Sequence, residues 1–127
     1  MTVAEKVYRI LENKIPAAAV RYSFELWQRF PFEFILSKAR QSKLGDYTYL
    51  PAEQRYIITV NTDLNPYSFL ITYVHEVAHR VTGDRYGHRV KPHGEEWKST
   101  LKELLYPVLN EEVFPPALLP YLYAHLA

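Results

Sequence analysis

The chain contains no cysteine. This absence excludes a disulfide-linked scaffold, a thiolate zinc finger, an iron–sulfur site and a cysteine nucleophile. Histidine, aspartate and glutamate are then the side chains that remain for binding a metal, and the chain has five histidines. Any zinc chemistry must therefore depend on histidine.

An excess of charge of one sign is also lacking. Fifteen Lys and Arg residues against fourteen Asp and Glu give a formal net charge of +1, so the total charge does not indicate a dedicated nucleic-acid binder. No apolar run approaches the roughly 18 residues of a membrane span, and no signal-peptide pattern is present. We expect a cytoplasmic protein that does not cross a membrane.

The length of the chain limits its organisation. With 127 residues, 48% of them apolar, it can build one hydrophobic core but not two ordinary domains. We therefore expect a single domain over residues 1–127.

The first half of the chain predicts two helices and a small sheet. Apolar residues at helical spacing predict a helix over 2–13 and a second that opens at Pro16 and stops before Pro31, because a proline disfavours helix in the preceding residue. β-branched and aromatic runs then predict strands at 32–36, 47–50 and 55–60. Together these elements predict an α+β fold with a sheet of about three strands.

The second half begins with the most informative helix. Asn65 followed by Pro66 is typical of a helix start, and the apolar rhythm of residues 69–81 ends near Gly83. A glycine-containing loop over 83–93 should follow this helix.

A fourth helix is predicted after that loop. Glu95 and Glu96 suit its first turn, where the helix dipole favours negative charge. Its apolar face carries Trp97, Leu101, Leu104 and Leu105. Four prolines, at positions 107, 115, 116 and 120, should divide the remainder into short pieces.

Residues 75–79 fit the pattern H-E-x-x-H, with His75, Glu76 and His79 in the defining positions. On a helix, the two imidazoles can bind one metal ion while the glutamate holds a water molecule beside it. At about 100° per residue the three side chains fall within an arc of roughly 100°. The main apolar stripe lies on the opposite side of the same helix and consists of Leu70, Tyr73, Val74, Val77 and Val81.

A catalytic zinc ion usually has three protein ligands, so a third must be found. The extended pattern with glycine at 82 and histidine at 85 is absent, because the chain has Thr82 and Arg85. Three kinds of candidate remain. His93 is favoured because a proline before it and a glycine after it can hold the imidazole still. The alternatives are a carboxylate at the start of the fourth helix and His88, which is otherwise a solvated loop residue.

Several segments together resemble the SprT-like metalloprotease domain, the group that includes the Spartan-type proteases. The likeness covers about residues 20–110, and the combination of H-E-x-x-H with a later P-H-G-x-x-W is more specific than the pentapeptide alone. The segments that carry it are Leu44-Gly45-Asp46-Tyr47, Ile58-Thr59-Val60-Asn61, Phe69 to His79, and Val90 to Lys98.

The resemblance implies a zincin-like fold in which helices pack on the small sheet. It implies one Zn²⁺ ion held by His75, His79 and His93, with Glu76 as the general base of peptide-bond hydrolysis. It also implies protein or peptide substrates, some of them associated with DNA.

Local basic groups offer a further candidate partner. Arginines and lysines at 38–43 and 80–91 have tyrosines close to them in sequence, a combination used to bind single-stranded DNA. The alternative to the enzyme is therefore a binding module that keeps its metal for stability and binds nucleic acid or protein. Glu76 favours the enzyme, because a structural site does not need a carboxylate beside its ligands.

Overall fold

The computed structural model describes residues 1–126, and Ala127, the last residue of the predicted domain, lies outside them. The chain forms five α-helices and three β-strands over this range. The helices are α1 (Val3–Lys14), α2 (Ala17–Arg29), α3 (Pro66–Tyr86), α4 (Glu95–Leu105) and α5 (Leu119–Leu126). The strands are β1 (Glu33–Ser37), β2 (Gly45–Leu50) and β3 (Arg55–Asn61).

The three strands form one mixed sheet in the order β1-β3-β2. β1 runs parallel to β3, with Ile35 beside Thr59, whereas β2 runs antiparallel to β3, with Tyr47 beside Ile58. The α+β prediction and its three-stranded sheet are confirmed. β2 forms one edge of this sheet, and its inner face lies against α3.

Helix α3 is the centre of the hydrophobic core. The apolar stripe predicted from its sequence is fully buried, and Phe69 and Ala78 are buried with it. Strand β1 packs against this helix through Phe34, whose ring centre lies 5.3 Å from that of Tyr73. The helices and the sheet therefore share one core.

Both ends of α3 illustrate how local chemistry sets helix limits. The predicted start is confirmed, because Asn65 Oδ1 accepts hydrogen bonds from the backbone N–H groups of Tyr67 and Ser68. The predicted end near Gly83 is wrong, because the helix continues to Tyr86. A glycine inside a helix lowers the stability of the helix but does not end it. The segment 83–93, which was predicted as a loop, is therefore helical up to Tyr86 and becomes a loop from Gly87.

The C-terminal part contains more helix than the proline pattern predicted. After a 3-10 turn at Tyr106–Val108, the chain forms α5, with Pro120 in its first turn. Proline is tolerated there because the first N–H groups of a helix have no partner within it. Within residues 1–126, no helix combines the length and the apolar character that a membrane span requires.

Candidate metal centre

Helix α3 presents His75, Glu76 and His79 to an open cleft of about 660 Å³. The two histidines are partly buried, and Glu76 is only 6% exposed. Thr72, one turn earlier, is also buried on this side. The side of α3 that carries His75, Glu76 and His79 is therefore a wall of this cleft.

His93 reaches the cleft from a tight turn that precedes α4. The N–H of Gly94 donates a hydrogen bond to the carbonyl of Lys91 at 3.0 Å, and His93 has a φ of 60°. A positive φ is uncommon outside glycine, although histidine is among the residues that adopt it more often. The turn therefore places His93 at the wall of the cleft.

The three imidazoles converge through their Nε2 atoms. His93 Nε2 lies 3.1 Å from Nε2 of His75 and 3.1 Å from Nε2 of His79. In the described part of the chain, these three residues are the group whose donor atoms could hold a metal ion. Neighbouring ligands of a tetrahedral zinc ion lie about 3.3 Å apart for Zn–N bonds of about 2.0–2.1 Å, so these two distances are close to those expected in a zinc site.

Trp97 forms the floor beneath all three imidazoles. Its ring centre lies 4.7 Å from that of His75, 5.3 Å from that of His79 and 4.6 Å from that of His93. Its indole N–H also donates a hydrogen bond to the carbonyl of His75 at 3.3 Å. The sequence predicted Trp97 as a core residue of the fourth helix and as the last residue of P-H-G-x-x-W, but it did not reveal that the indole packs against the imidazoles.

The electrostatics of the site keep two of the imidazoles neutral. Burial, followed by the proximity of the other histidines, lowers the pKa of His75 and that of His79 to about 4. A metal ion needs the neutral imidazole. These two imidazoles could therefore bind an ion at neutral pH without first losing a proton.

Glu76 has the opposite shift. Burial, followed by the nearby charge of Asp46, raises the pKa of its carboxyl, Arg40 and Lys43 oppose the increase, and the resulting pKa is about 7. A carboxyl with a pKa near neutrality is suited to accept a proton and to release it again.

The β2 edge of the sheet closes the cleft on the side of Glu76. A Cβ atom placed on Gly45 would lie 2.7 Å from Thr72 Cγ2 and 3.0 Å from Glu76 Oε2. Only a glycine allows the strand to approach the helix this closely. Tyr47, two residues along the same face of the strand, lies parallel to the ring of His79 at 6.2 Å.

The alternative third ligands lie outside the group of three imidazoles. His88 Nε2 lies 2.8 Å from the hydroxyl of Tyr47. Glu95 faces Lys98 across a 3.9 Å ion pair, and Glu96 follows it in the first turn of α4. His88 is not simply a solvated loop residue, because its exposed ring stacks on Tyr49 with 3.8 Å between ring centres.

The loop before β2 is held by a buried residue whose role the sequence did not reveal. Asn61 is 1% exposed. Its Nδ2 donates to the carbonyl of Lys43 at 2.9 Å and its Oδ1 accepts from Arg40 Nε at 2.7 Å. Asn61 therefore fixes the loop that leads into Gly45. The partners lie about twenty residues apart in sequence, so no local pattern could have shown the contact.

Four of the seven predicted basic residues have internal partners. Arg80 pairs with Asp84, Arg85 with Glu103, and Lys43 with Asp46, and Arg40 donates hydrogen bonds to Asn61 and Thr59. Lys38, Arg89 and Lys91 form no ion pair within residues 1–126. Any contact with nucleic acid would therefore depend mainly on these last three side chains.

Comparisons with family models, with curated proteins and with solved structures return no match for this chain. The arrangement itself shows three histidines that could hold a metal ion beside a buried carboxylate, in a cleft open to solvent.

Proposed function

We propose that the chain is a zinc-dependent metalloendopeptidase of the SprT-like type, with a zincin-like fold. One observation carries the proposal. His93 Nε2 lies 3.1 Å from Nε2 of His75 and from Nε2 of His79, close to the separation of neighbouring ligands in a tetrahedral zinc site, and the buried Glu76 carboxylate projects from α3 into the same cleft.

His75, His79 and His93 would hold the ion. Three neutral nitrogen donors are a set that zinc favours, and a catalytic site keeps its fourth position free of protein. When bound, zinc supplies Lewis acidity at this point, which polarises a carbonyl group and lowers the pKa of water towards about 7. Trp97 seals the base of the site, so that substrate and water approach from the cleft.

Glu76 moves the proton. Its ionised carboxylate accepts a proton from the attacking water, and the resulting acid donates that proton to the nitrogen of the leaving amine. Both forms are accessible near neutral pH because burial raises the pKa of this group to about 7. A divalent cation beside the carboxyl favours the ionised form, which is the form needed first.

The substrate in this proposal is a polypeptide in an extended conformation. β2 is an edge strand, so its outer backbone N–H and C=O groups can pair with an added strand. A peptide bound there passes in front of Glu76 and the imidazoles, because Gly45 and Tyr47 of the same strand line that cleft. Exposed Leu44 at the start of this edge offers an apolar contact.

A metal-stabilised module that binds single-stranded DNA is the second candidate. Lys91, one of the basic residues without an ion-pair partner in residues 1–126, precedes the His93 turn and places positive charge near the cleft. Binding to labelled single-stranded DNA over a salt series tests the contact. Each phosphate contact contributes a slope of about −0.7 in log K against log salt, and a flat plot excludes phosphate contacts.

The deciding experiment combines metal analysis with a cleavage assay. The purified wild type should contain one zinc ion per chain and should cleave casein, and a chelator should abolish the cleavage. His93→Ala should lose most of the zinc and the activity, whereas Glu95→Ala, at an exposed carboxylate two residues away, should retain both. Stoichiometric zinc without any cleavage would favour the binding module, and a wild type without metal would exclude both.

A further inference from the structure

His88 connects the loop that carries His93 to the edge of the sheet. Its Nε2 lies 2.8 Å from the Tyr47 hydroxyl, and its ring stacks on that of Tyr49 with 3.8 Å between centres. Tyr47 and Tyr49 project from the same face of β2, whereas His88 lies five residues before His93. The contact therefore joins two segments that are about forty residues apart in sequence.

Helix α3 makes room for this contact at Gly83. A Cβ atom on Gly83 would lie 2.1 Å from Nε2 and 2.4 Å from Cε1 of His88. These distances are far below van der Waals contact, so any other residue at this position would displace the ring. A glycine lowers the stability of a helix. The space that the His88 ring needs explains why Gly83 nevertheless lies within α3.

The stack continues from His88 into the body of the protein. Tyr49 stacks on Tyr56 with 5.2 Å between centres, and the guanidinium of Arg80 lies 3.6 Å from the centre of the Tyr56 ring. Arg80 is 6% exposed, and it is fixed by Asp84 and by the carbonyl of Pro31. His88 is therefore anchored to a rigid set of side chains, although its own edge is exposed.

The segment between α3 and α4 has few other restraints. Residues 87–89 and 91–93 are exposed. The backbone bonds given by the structure for this segment are the helix-terminal bond from Gly87 N–H and the turn between Lys91 and Gly94. Without the His88 contact, the segment would have to become ordered each time the third imidazole joined the site, at a cost in binding free energy.

We infer that Tyr47 and His88 form a positioning pair that preorganises the site for its metal ion. His88 holds the loop that carries His93, and the Tyr47 ring lies parallel to His79 at 6.2 Å between centres. The pair thus contacts both segments that supply ligands. This inference rests on the metal centre in the proposed function but does not depend on peptide hydrolysis.

Zinc affinity measured by competition with a chromophoric chelator tests the pair. Losing the contact adds the cost of ordering the loop to the binding of the ion, so we expect His88→Ala to raise the zinc Kd by roughly 2–10-fold. Tyr47→Phe, which removes only the hydroxyl, should raise it by a smaller factor. Arg89→Ala, a neighbouring exposed substitution, is the control and should leave the Kd unchanged.

A substitution at Gly83 of α3 tests the same contact independently. Gly83→Ala should displace the His88 ring and raise the zinc Kd in the same way, and combining it with His88→Ala should add little because the contact is already lost. The thermal midpoint of each metal-free variant shows that it is folded. If His88→Ala and Tyr47→Phe both bound zinc with the Kd of the wild type, the positioning role of the pair would be overturned, but the metal centre would not. If the wild type itself bound no zinc, the metal centre would be overturned as well.

Discussion

Gly45 and Glu76 lie in contact across the boundary between the edge strand and the central helix. A methyl group on Gly45 would be 3.0 Å from Oε2 of Glu76 and 2.7 Å from the methyl of Thr72. Gly45, which has no Cβ atom, thus lies opposite the Glu76 carboxylate that the proposed reaction requires.

Enlarging Gly45 should therefore damage both stability and the site. We expect Gly45→Val to lower the free energy of unfolding by about 1–3 kcal/mol, the usual cost of overpacking, and to reduce cleavage more than the loss of folded protein explains. Urea unfolding and cleavage per folded molecule measure the two effects. Ala52→Val, in an exposed turn next to β2, is the control and should behave as wild type. Equal behaviour of the two variants would argue against a close contact.

Removing the charge of Glu76 should separate metal binding from catalysis. Glu76→Gln keeps the shape of the side chain and leaves the three imidazoles in place, so we expect the zinc content to remain that of the wild type. Cleavage should fall by roughly 10²–10⁴, the contribution typical of a general base. Glu95→Gln, an exposed carboxylate beyond the cleft, should cleave at the wild-type rate. Full activity in zinc-loaded Glu76→Gln would refute the assigned role.

The metal-free protein should lose stability on acidification. In the folded state burial lowers the pKa of His75 and of His79 to about 4, whereas an unfolded histidine has a pKa of about 6.5. Between these values the unfolded chain binds two protons that the folded chain does not. The stability from these neutral imidazoles is thus present above about pH 6.5 and is lost as the pH falls towards 4.

Glu76 acts in the opposite direction over the same range. Burial raises its folded pKa to about 7, so the folded chain holds one proton that an unfolded glutamate has released. For these three groups the unfolded chain still binds the larger number of protons, so their combined effect is that stability increases with pH between about pH 5 and 6. Urea unfolding in the presence of a chelator measures this slope. Glu76→Gln removes the opposing proton and should make the slope steeper, and a flat or inverted slope in both proteins would contradict the shifts.

The buried amide of Asn61 should stabilise the loop in front of the cleft. Asn61→Ala leaves the Lys43 carbonyl and Nε of Arg40 without this partner, and we expect a loss of about 1–3 kcal/mol in the free energy of unfolding. Limited proteolysis should cleave within residues 38–44 more rapidly. Asn13→Ala, which removes an exposed hydrogen bond to the Arg9 carbonyl, should do neither. Unchanged cleavage of the loop in Asn61→Ala would show that other contacts hold it.

The sequence predicted the elements whose signals are local. The position of α3 followed from its apolar rhythm and from the Asn65 cap, and His93 followed from the restraint that its neighbours place on the backbone. The end of α3 was predicted wrongly because a glycine was interpreted as a stop signal. Its actual role depends on His88, whose ring occupies the space where a side chain would be.

The contacts that the sequence could not show are those between distant segments. Tyr47 and His88 are 41 residues apart, and Trp97 lies 22 residues from the His75 carbonyl that accepts its hydrogen bond. No periodicity links such positions, because they meet only when the sheet, α3 and α4 have packed together. The pattern H-E-x-x-H predicted which helix to consider, and only the fold revealed what surrounds it.

The positive φ of His93 also separates the shape of this turn from the donor that it carries. Aspartate adopts the left-handed region more readily than most residues, so His93→Asp should preserve the turn between Lys91 and Gly94. A carboxylate is shorter than an imidazole, however, and its oxygen would fall short of the Nε2 atoms of His75 and His79. The backbone of the loop would thus be kept while its donor is withdrawn, with metal content measured by elemental analysis as the outcome.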